Sequence, residues 1–251
     1  MILIMNEKRY IENVIKSKKV SEEISDRYLI KMLIRYFNNL YNKKELIDQI
    51  HKLCKELNIN NYEEYEFYNK IKKYIKEEER NPIKLRDIEY IPLLQEELDI
   101  IKQCKKDREK KFLFVCYIMA RFNNSDWINI DDKDLFKMAN ISLSCKDRQL
   151  FIHDMIKKGY ISQAKKNTNN SLKIERLNGE ETVKVIKFNN MGNFILAYLK
   201  PNYIQCEKCD KLVKIESKYD GSSRYCDKCA EDIDKKNNRL RVEKHRRSQK
   251  M

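Results

Sequence analysis

Residues 110–122 read KKFLFVCYIMARF. From Phe112 to Ala120 no charged residue interrupts the run, so a helix here is apolar nearly all round. Such a helix is stable only when other elements cover every side of it. The stretch therefore predicts a buried central helix, and its neighbours in sequence should supply the cover. WINI (127–130) follows as a short β-branched segment. DDKDLFKMA (131–139) reads as a second helix with Leu135, Phe136 and Met138 inward, ended by Asn140. A third helix is expected from Cys145 to Lys158. It stops at Gly159, the residue that most readily takes a left-handed conformation after a helix.

Beyond Gly159 come YISQA, a polar loop KKNTNN, and SLKIERL, which reads as a strand. Asn178-Gly179 is a strong two-strand turn signal, and TVKVIKF is the expected return strand. FILAYLK (194–200) fits a closing strand or a short helix. Helix, short strand, helix, turn, helix, hairpin resembles the winged helix-turn-helix superfamily, as does the run Ile152, Met155, Gly159, Tyr160, Ile161 at the third helix's exit. The resemblance covers about 106–188. It implies that the third helix enters a DNA major groove and that a wing at 165–170 touches backbone. Lys146, Gln149, His153 and Lys157 are then the candidate reading residues, with Lys165 and Lys166 on the wing. Leu150 sits among the outward residues. It fits a thymine methyl, and it equally fits a dimer contact or docking on another part of the chain.

The three prolines mark the boundaries. Pro82 and Pro92 bracket an extended connector, and Pro201 precedes a cysteine-rich end. The expected divisions are a helical domain at 1–80, a connector at 81–92, a winged-helix-like domain at 93–200, a metal module at 201–234 and a basic tail at 235–251. In the first, NKKELIDQIHKLCKEL carries Leu46, Ile47, Ile50, Leu53, Cys54 and Leu57 at three- and four-residue spacing, one apolar stripe. Asn42 with Glu45, and Asn61 with Glu64, have the spacing of a capping box. RYLIKMLIRYFNNL adds another helix. Its tyrosines and phenylalanines, at helical spacing, read as core rather than as base-stacking platforms. The fold class expected is mainly α with small β hairpins (α+β).

Cys206-x-x-Cys209 and Cys226-x-x-Cys229 supply four thiolates in two clusters, the closed set that one structural Zn2+ prefers. LVKIE and SSRY are expected as two strands between the pairs, with Asp220-Gly221 near their turn. A helix is expected to start at the second pair. Knuckle, hairpin and ligand-bearing helix resemble the treble-clef group of zinc modules. The catalytic histidines that a treble-clef nuclease needs are missing from this hairpin. The chain also shows no Ser-His-Asp pattern, no phosphate-binding glycine loop and no His-Glu-x-x-His, so no catalytic residue is assigned.

Charge points to the partner. With 53 basic and 39 acidic residues, the net charge of +14 favours a polyanion. Residues 235–251 hold eight basic residues, Lys235, Lys236, Arg239, Arg241, Lys244, Arg246, Arg247 and Lys250, against Glu243. That is +7, half of the total. MILIM is too short for a signal-peptide core and no apolar run approaches a membrane span. A cytoplasmic protein with reduced thiols and no membrane partner is expected. The three-part arrangement resembles a group of small proteins of phages and prophages of A/T-rich Gram-positive bacteria. That resemblance implies a DNA-directed role in regulation or replication. Two other functions fit the same features. One is an RNA-binding or ribonucleoprotein module. The other is an interaction protein that docks on a host polymerase or defence complex, with the N-terminal helices serving partner binding or self-association.

Overall fold

A computed structural model describes residues 3–22, 24–57, 59, 63–163, 171–214 and 224–248. The chain divides into two compact units, Met1–Tyr90 and Ile91–Met251. Its class is mainly helical with small antiparallel sheets, as composition and periodicity predict.

The first unit holds α1 (Glu7–Ser17), α2 (Asp26–Phe37), α3 (Lys43–Glu56) and α4 (Glu64–Arg80). Ile11, Ile30, Leu33, Ile50, Phe67 and Ile71 meet at its centre. The predicted stripe of α3 is the face it buries, and the Asn42–Glu45 capping box forms as expected. Asn61 lies outside the described residues, and Glu63, just before α4, makes no side-chain cap. The segment expected as a connector is fastened to α1. Glu7 N–H donates to the Arg86 carbonyl at 2.8 Å, and the buried Glu7 carboxylate accepts from Arg86 N–H at 2.9 Å and from the Tyr28 hydroxyl at 2.7 Å. Burial, then Glu7, pushes that hydroxyl's pKa up. Arg35 grips Glu78 with two bonds of 2.8 and 2.9 Å, tying α2 to α4.

The second unit runs β1 (Ile91–Leu94), α5 (Gln95–Gln103), α6 (Asp107–Phe122), β2 (Trp127–Ile128), α7 (Asp132–Met138), α8 (Cys145–Lys157), β3 (Ser162–Gln163), β4 (Leu172–Lys173), β5 (Glu181–Val185), α9 (Met191–Leu199), β6 (Tyr203–Gln205), β7 (Leu212–Lys214) and α10 (Asp227–Ser248). Helix α6 is the axis. Every side chain from Phe112 to Ala120 is buried, because α5, α7, α9, β1 and β2 all pack against it. Phe112 meets Phe136 of α7 and Phe151 of α8, with ring centroids 4.8 and 5.3 Å away. Of the order expected over 106–188, the helix, short strand, helix and helix are observed as α6, β2, α7 and α8. The short strands β2, β3 and β4 form one sheet in the order β2-β4-β3.

The Asn178-Gly179 hairpin does not form. β4 pairs with β2 and β3, whereas β5 pairs with β1, far earlier in the chain, in the register Ile91↔Val185 and Leu93↔Val183. Two interactions explain the change. Arg121 donates to the Leu177 carbonyl at 2.8 Å and holds the fully buried Glu97 carboxylate at 2.6 Å. This carries the chain away from β4. Gly179 then passes against α5 with φ of +155°, where an added Cβ would lie 1.8 Å from the Glu96 carboxylate. Glu96 is exposed and its side chain can move aside, so it is the positive φ that favours glycine here, and not a two-residue turn. Pairing with β1 also puts Val183 and Val185 into the core. The segment FILAYLK belongs to a helix, α9.

Candidate metal centre and charged faces

Cys206 and Cys209 lie on the turn between β6 and β7. Cys206 N–H donates to the Lys211 carbonyl at 2.8 Å and Asp210 N–H to the Cys206 carbonyl at 2.8 Å, with Asp210 in the left-handed region at φ of +57°. This tight turn closes the β6–β7 hairpin, whose register is Tyr203↔Lys214 and Gln205↔Leu212. The hairpin therefore spans the first cysteine pair. Among the described residues β7 pairs with β6, which precedes Cys206; the expected LVKIE–SSRY pairing falls largely on residues outside those described. Asp220-Gly221 lies outside the described residues. The second pair arrives through Glu207 N–H, which donates to the Arg224 carbonyl at 3.0 Å. Cys226 stands just before α10 and Cys229 sits in its first turn.

The four sulfur atoms lie within 4.8 Å of one another, and Cys209 Sγ is 3.7 Å from Cys226 Sγ. A tetrahedral ion with metal–sulfur bonds of about 2.3 Å places its sulfurs about 3.8 Å apart. The donor set thus fits a four-thiolate metal site. Cys206 and Cys229 are buried, and the other two are half-buried. Burial opposes ionisation of Cys206, but backbone N–H groups of Cys226, Cys209 and Lys208 outweigh it and bring the thiol to about 6. Cys229 moves the other way, to about 12, through its bond to the Cys226 sulfur and through burial. Sulfurs this close cannot all carry charge alone; a divalent cation removes that conflict.

The centre is anchored to the body of the second unit. Asn193 of α9 is 4% exposed. Its Oδ1 accepts from Lys111 of α6 at 3.2 Å and from Asn140 at 2.9 Å, while its Nδ2 donates to the Asp210 carbonyl at 3.2 Å. The Lys187 ammonium pairs with the Asp210 carboxylate. Sequence reasoning missed this anchor. Its one signal was an asparagine inside the otherwise apolar MGNFILAYL.

Helix α8 buries Phe151 and Met155 and turns Lys146, Gln149, His153 and Lys157 outward, all four exposed. Leu150 shares that face, at 59% exposure. Other charges nearby are spent internally: Arg148 pairs with Asp132 at 3.1 Å, and Lys158 with Glu109 at 2.8 Å and Asp154 at 2.6 Å. Among the described residues, Lys146 and Lys157 make no ion pair. Ile152 and Ile156 flank a groove of about 250 Å³ that runs beside this face to Leu172. Lys165 and Lys166 lie outside the described residues.

Helix α10 is 22 residues long, about 33 Å at 1.5 Å per residue. Lys235, Lys236, Arg239 and Arg241 are exposed along it, as are Leu240 and Val242. Lys244, Arg246 and Arg247 occupy its last turns. No helix among the described residues is long and apolar enough to cross a membrane. No protein-family model, curated protein or solved structure matches the chain.

Proposed function

We propose that this is a non-enzymatic DNA-binding protein, stabilised by one structural Zn2+, of the regulatory or replication-associated kind found in phages. The observation that carries the reading is the outward face of α8. It presents Lys146, Gln149, His153 and Lys157 together, on the helix that precedes β3 in a β2-β4-β3 arrangement. The succession α6, β2, α7, α8 and the β2-β4-β3 sheet support a winged helix-turn-helix reading, in which the third helix reads the major groove. On this reading Gln149 and Lys146 meet base edges, and the basic stretch of α10 meets phosphates, which position the protein without carrying sequence information. The zinc set has four protein ligands and no open position, so the ion serves folding rather than catalysis. Cys206, Cys209, Cys226 and Cys229 hold it.

The test is competition binding with duplex DNA, duplex RNA and single strands, using full-length protein. Preference for duplex DNA, with loss of both affinity and sequence preference in Lys146→Glu and Lys157→Glu, is the expected result. If both variants bind the preferred duplex as the parent does, α8 is not the reader. Winning competition by duplex RNA would point to the ribonucleoprotein function. Leu150 favours one rival, a protein partner or second copy at α8, because a large apolar side chain 59% exposed gains from being covered. Leu150→Ala separates the two. A base contact predicts a loss of about 1 kcal/mol confined to sites with one thymine. A protein contact predicts changed association and unchanged DNA preference.

A further inference from the structure

Trp127, the one tryptophan of the chain, lies on β2 at the edge of the β2-β4-β3 sheet and is 39% exposed. The register fixes its surroundings. Trp127 stands opposite Lys173, and Lys173 opposite Ser162, so these three share one face. The next row, Ile128 and Leu172, is buried on the other face. The Lys173 ammonium sits 5.9 Å from the indole centroid. Two residues further along the outer face, Ser171 Oγ donates to Asn129 Oδ1 at 2.7 Å. Asp126, next to Trp127 in the chain, is paired with Arg176 at 2.9 Å. An exposed indole, a half-buried lysine and an amide–hydroxyl pair thus lie together on one sheet face, and nothing in the major-groove function uses them.

We infer that this face binds an unpaired nucleobase, which stacks on the Trp127 indole while Lys173 holds the adjoining phosphate. The inference rests on the DNA-binding reading and extends it to partly single-stranded DNA. A paired base has its faces covered by its neighbours, so an indole on a sheet can stack only on an unpaired or terminal base. The Lys173 charge supplies the complementarity to the phosphate, and the Asn129–Ser171 pair supplies donors and acceptors for a base edge. An apolar protein partner fits less well, since the one large apolar group there is ringed by polar side chains.

The experiment uses the full-length zinc-loaded protein with three probes: a blunt duplex, the same duplex with a single-stranded deoxythymidine overhang, and the overhang strand alone. Because Trp127 is the sole tryptophan, its fluorescence reports stacking directly. Quenching is expected with the overhang duplex and the single strand and not with the blunt duplex. Trp127→Ala should weaken overhang binding about tenfold, within the range of one base stack removed, and leave blunt-duplex binding intact. Trp127→Phe should recover most of the affinity. Retained blunt-duplex binding also shows that Trp127→Ala is folded; if it is not, parent quenching and the Phe variant decide. Saturating the protein with overhang duplex without quenching, or equal overhang affinity in Trp127→Ala, overturns the inference alone. If anisotropy detects no binding of any probe, the DNA-binding reading falls with it.

Discussion

Helices α6 and α10 stand in the same unit and are stabilised in opposite ways. In α6 an unbroken run of nine side chains is buried, and the helix exists because its neighbours cover it. In α10 every described side chain from Asp234 to Glu243 is exposed, and Leu240 and Val242 find no core. Lys235 and Arg239 are like charges four residues apart, an unfavourable spacing. Helices that do not pack are marginal in water. What α10 has instead is one fixed end, Cys229 in its first turn. A packed helix draws stability along its length, whereas α10 is fixed at its four-cysteine end and leaves the rest of its charge exposed.

The contrast can be broken at the metal. Cys226→Ser, or removal of the ion, should unfold the β6–β7 hairpin and the start of α10 and leave the α6 core folded. Sites of this type contribute on the order of 10 kcal/mol to local folding. Hydrogen exchange should show protection lost after residue 203 and kept in α6, and elemental analysis should find one zinc per chain. Absence of zinc in protein prepared without chelator would sink the assignment.

A smaller effect is expected at the other pole. Phe112→Ala empties the centre of the Phe112–Phe136–Phe151 cluster and should cost about 3–5 kcal/mol in denaturant unfolding. Leu240→Ala on α10 should cost less than about 0.5 kcal/mol. Comparable losses at the two sites would mean that α10 is covered in solution.

Between the two helices lies Asn193. Asn193→Ala leaves the Lys111 ammonium and the Asp210 carbonyl without their partner and should cost about 1–3 kcal/mol. If the anchor joins the metal centre to the core, the variant should also release zinc to a chelator faster than the parent. An unchanged release rate would separate the two regions.

The finest measurement is electrostatic. Removing residues 235–251 should flatten the salt dependence of duplex binding, by roughly 0.9 in log–log slope for each phosphate that the tail neutralises. Affinity should fall about equally for all sequences, and the melting of the α6 core should not move. An unchanged slope would show that α10 points its charge elsewhere.

Much of this arrangement was legible in the residues. The apolar run of α6, the stripe of α3 with its Asn42–Glu45 cap, the stop of α8 at Gly159 and the two cysteine pairs depend on neighbours within a turn or two. Local spacing therefore determines them, and the four-cysteine cluster followed from ligand chemistry. The error fell where a strand chose between partners. Asn178-Gly179 reads as a hairpin because a turn signal reports only that the chain can reverse. It does not report which strand is waiting.

The sequence by itself determined the helical class, the buried central helix, the candidate ligands and the concentration of charge at the C-terminal end, since each follows from residue type at short separation. Only the tertiary structure decided that β5 pairs with β1, that Arg121 is committed to Glu97, that Asn193 ties the cysteine turn to the core and that Trp127 stays on an open face. Those depend on interactions between residues far apart in the chain. Burial makes an unsatisfied charge or carbonyl costly, so the fold chooses the pairing that satisfies all of them together, which no local spacing specifies.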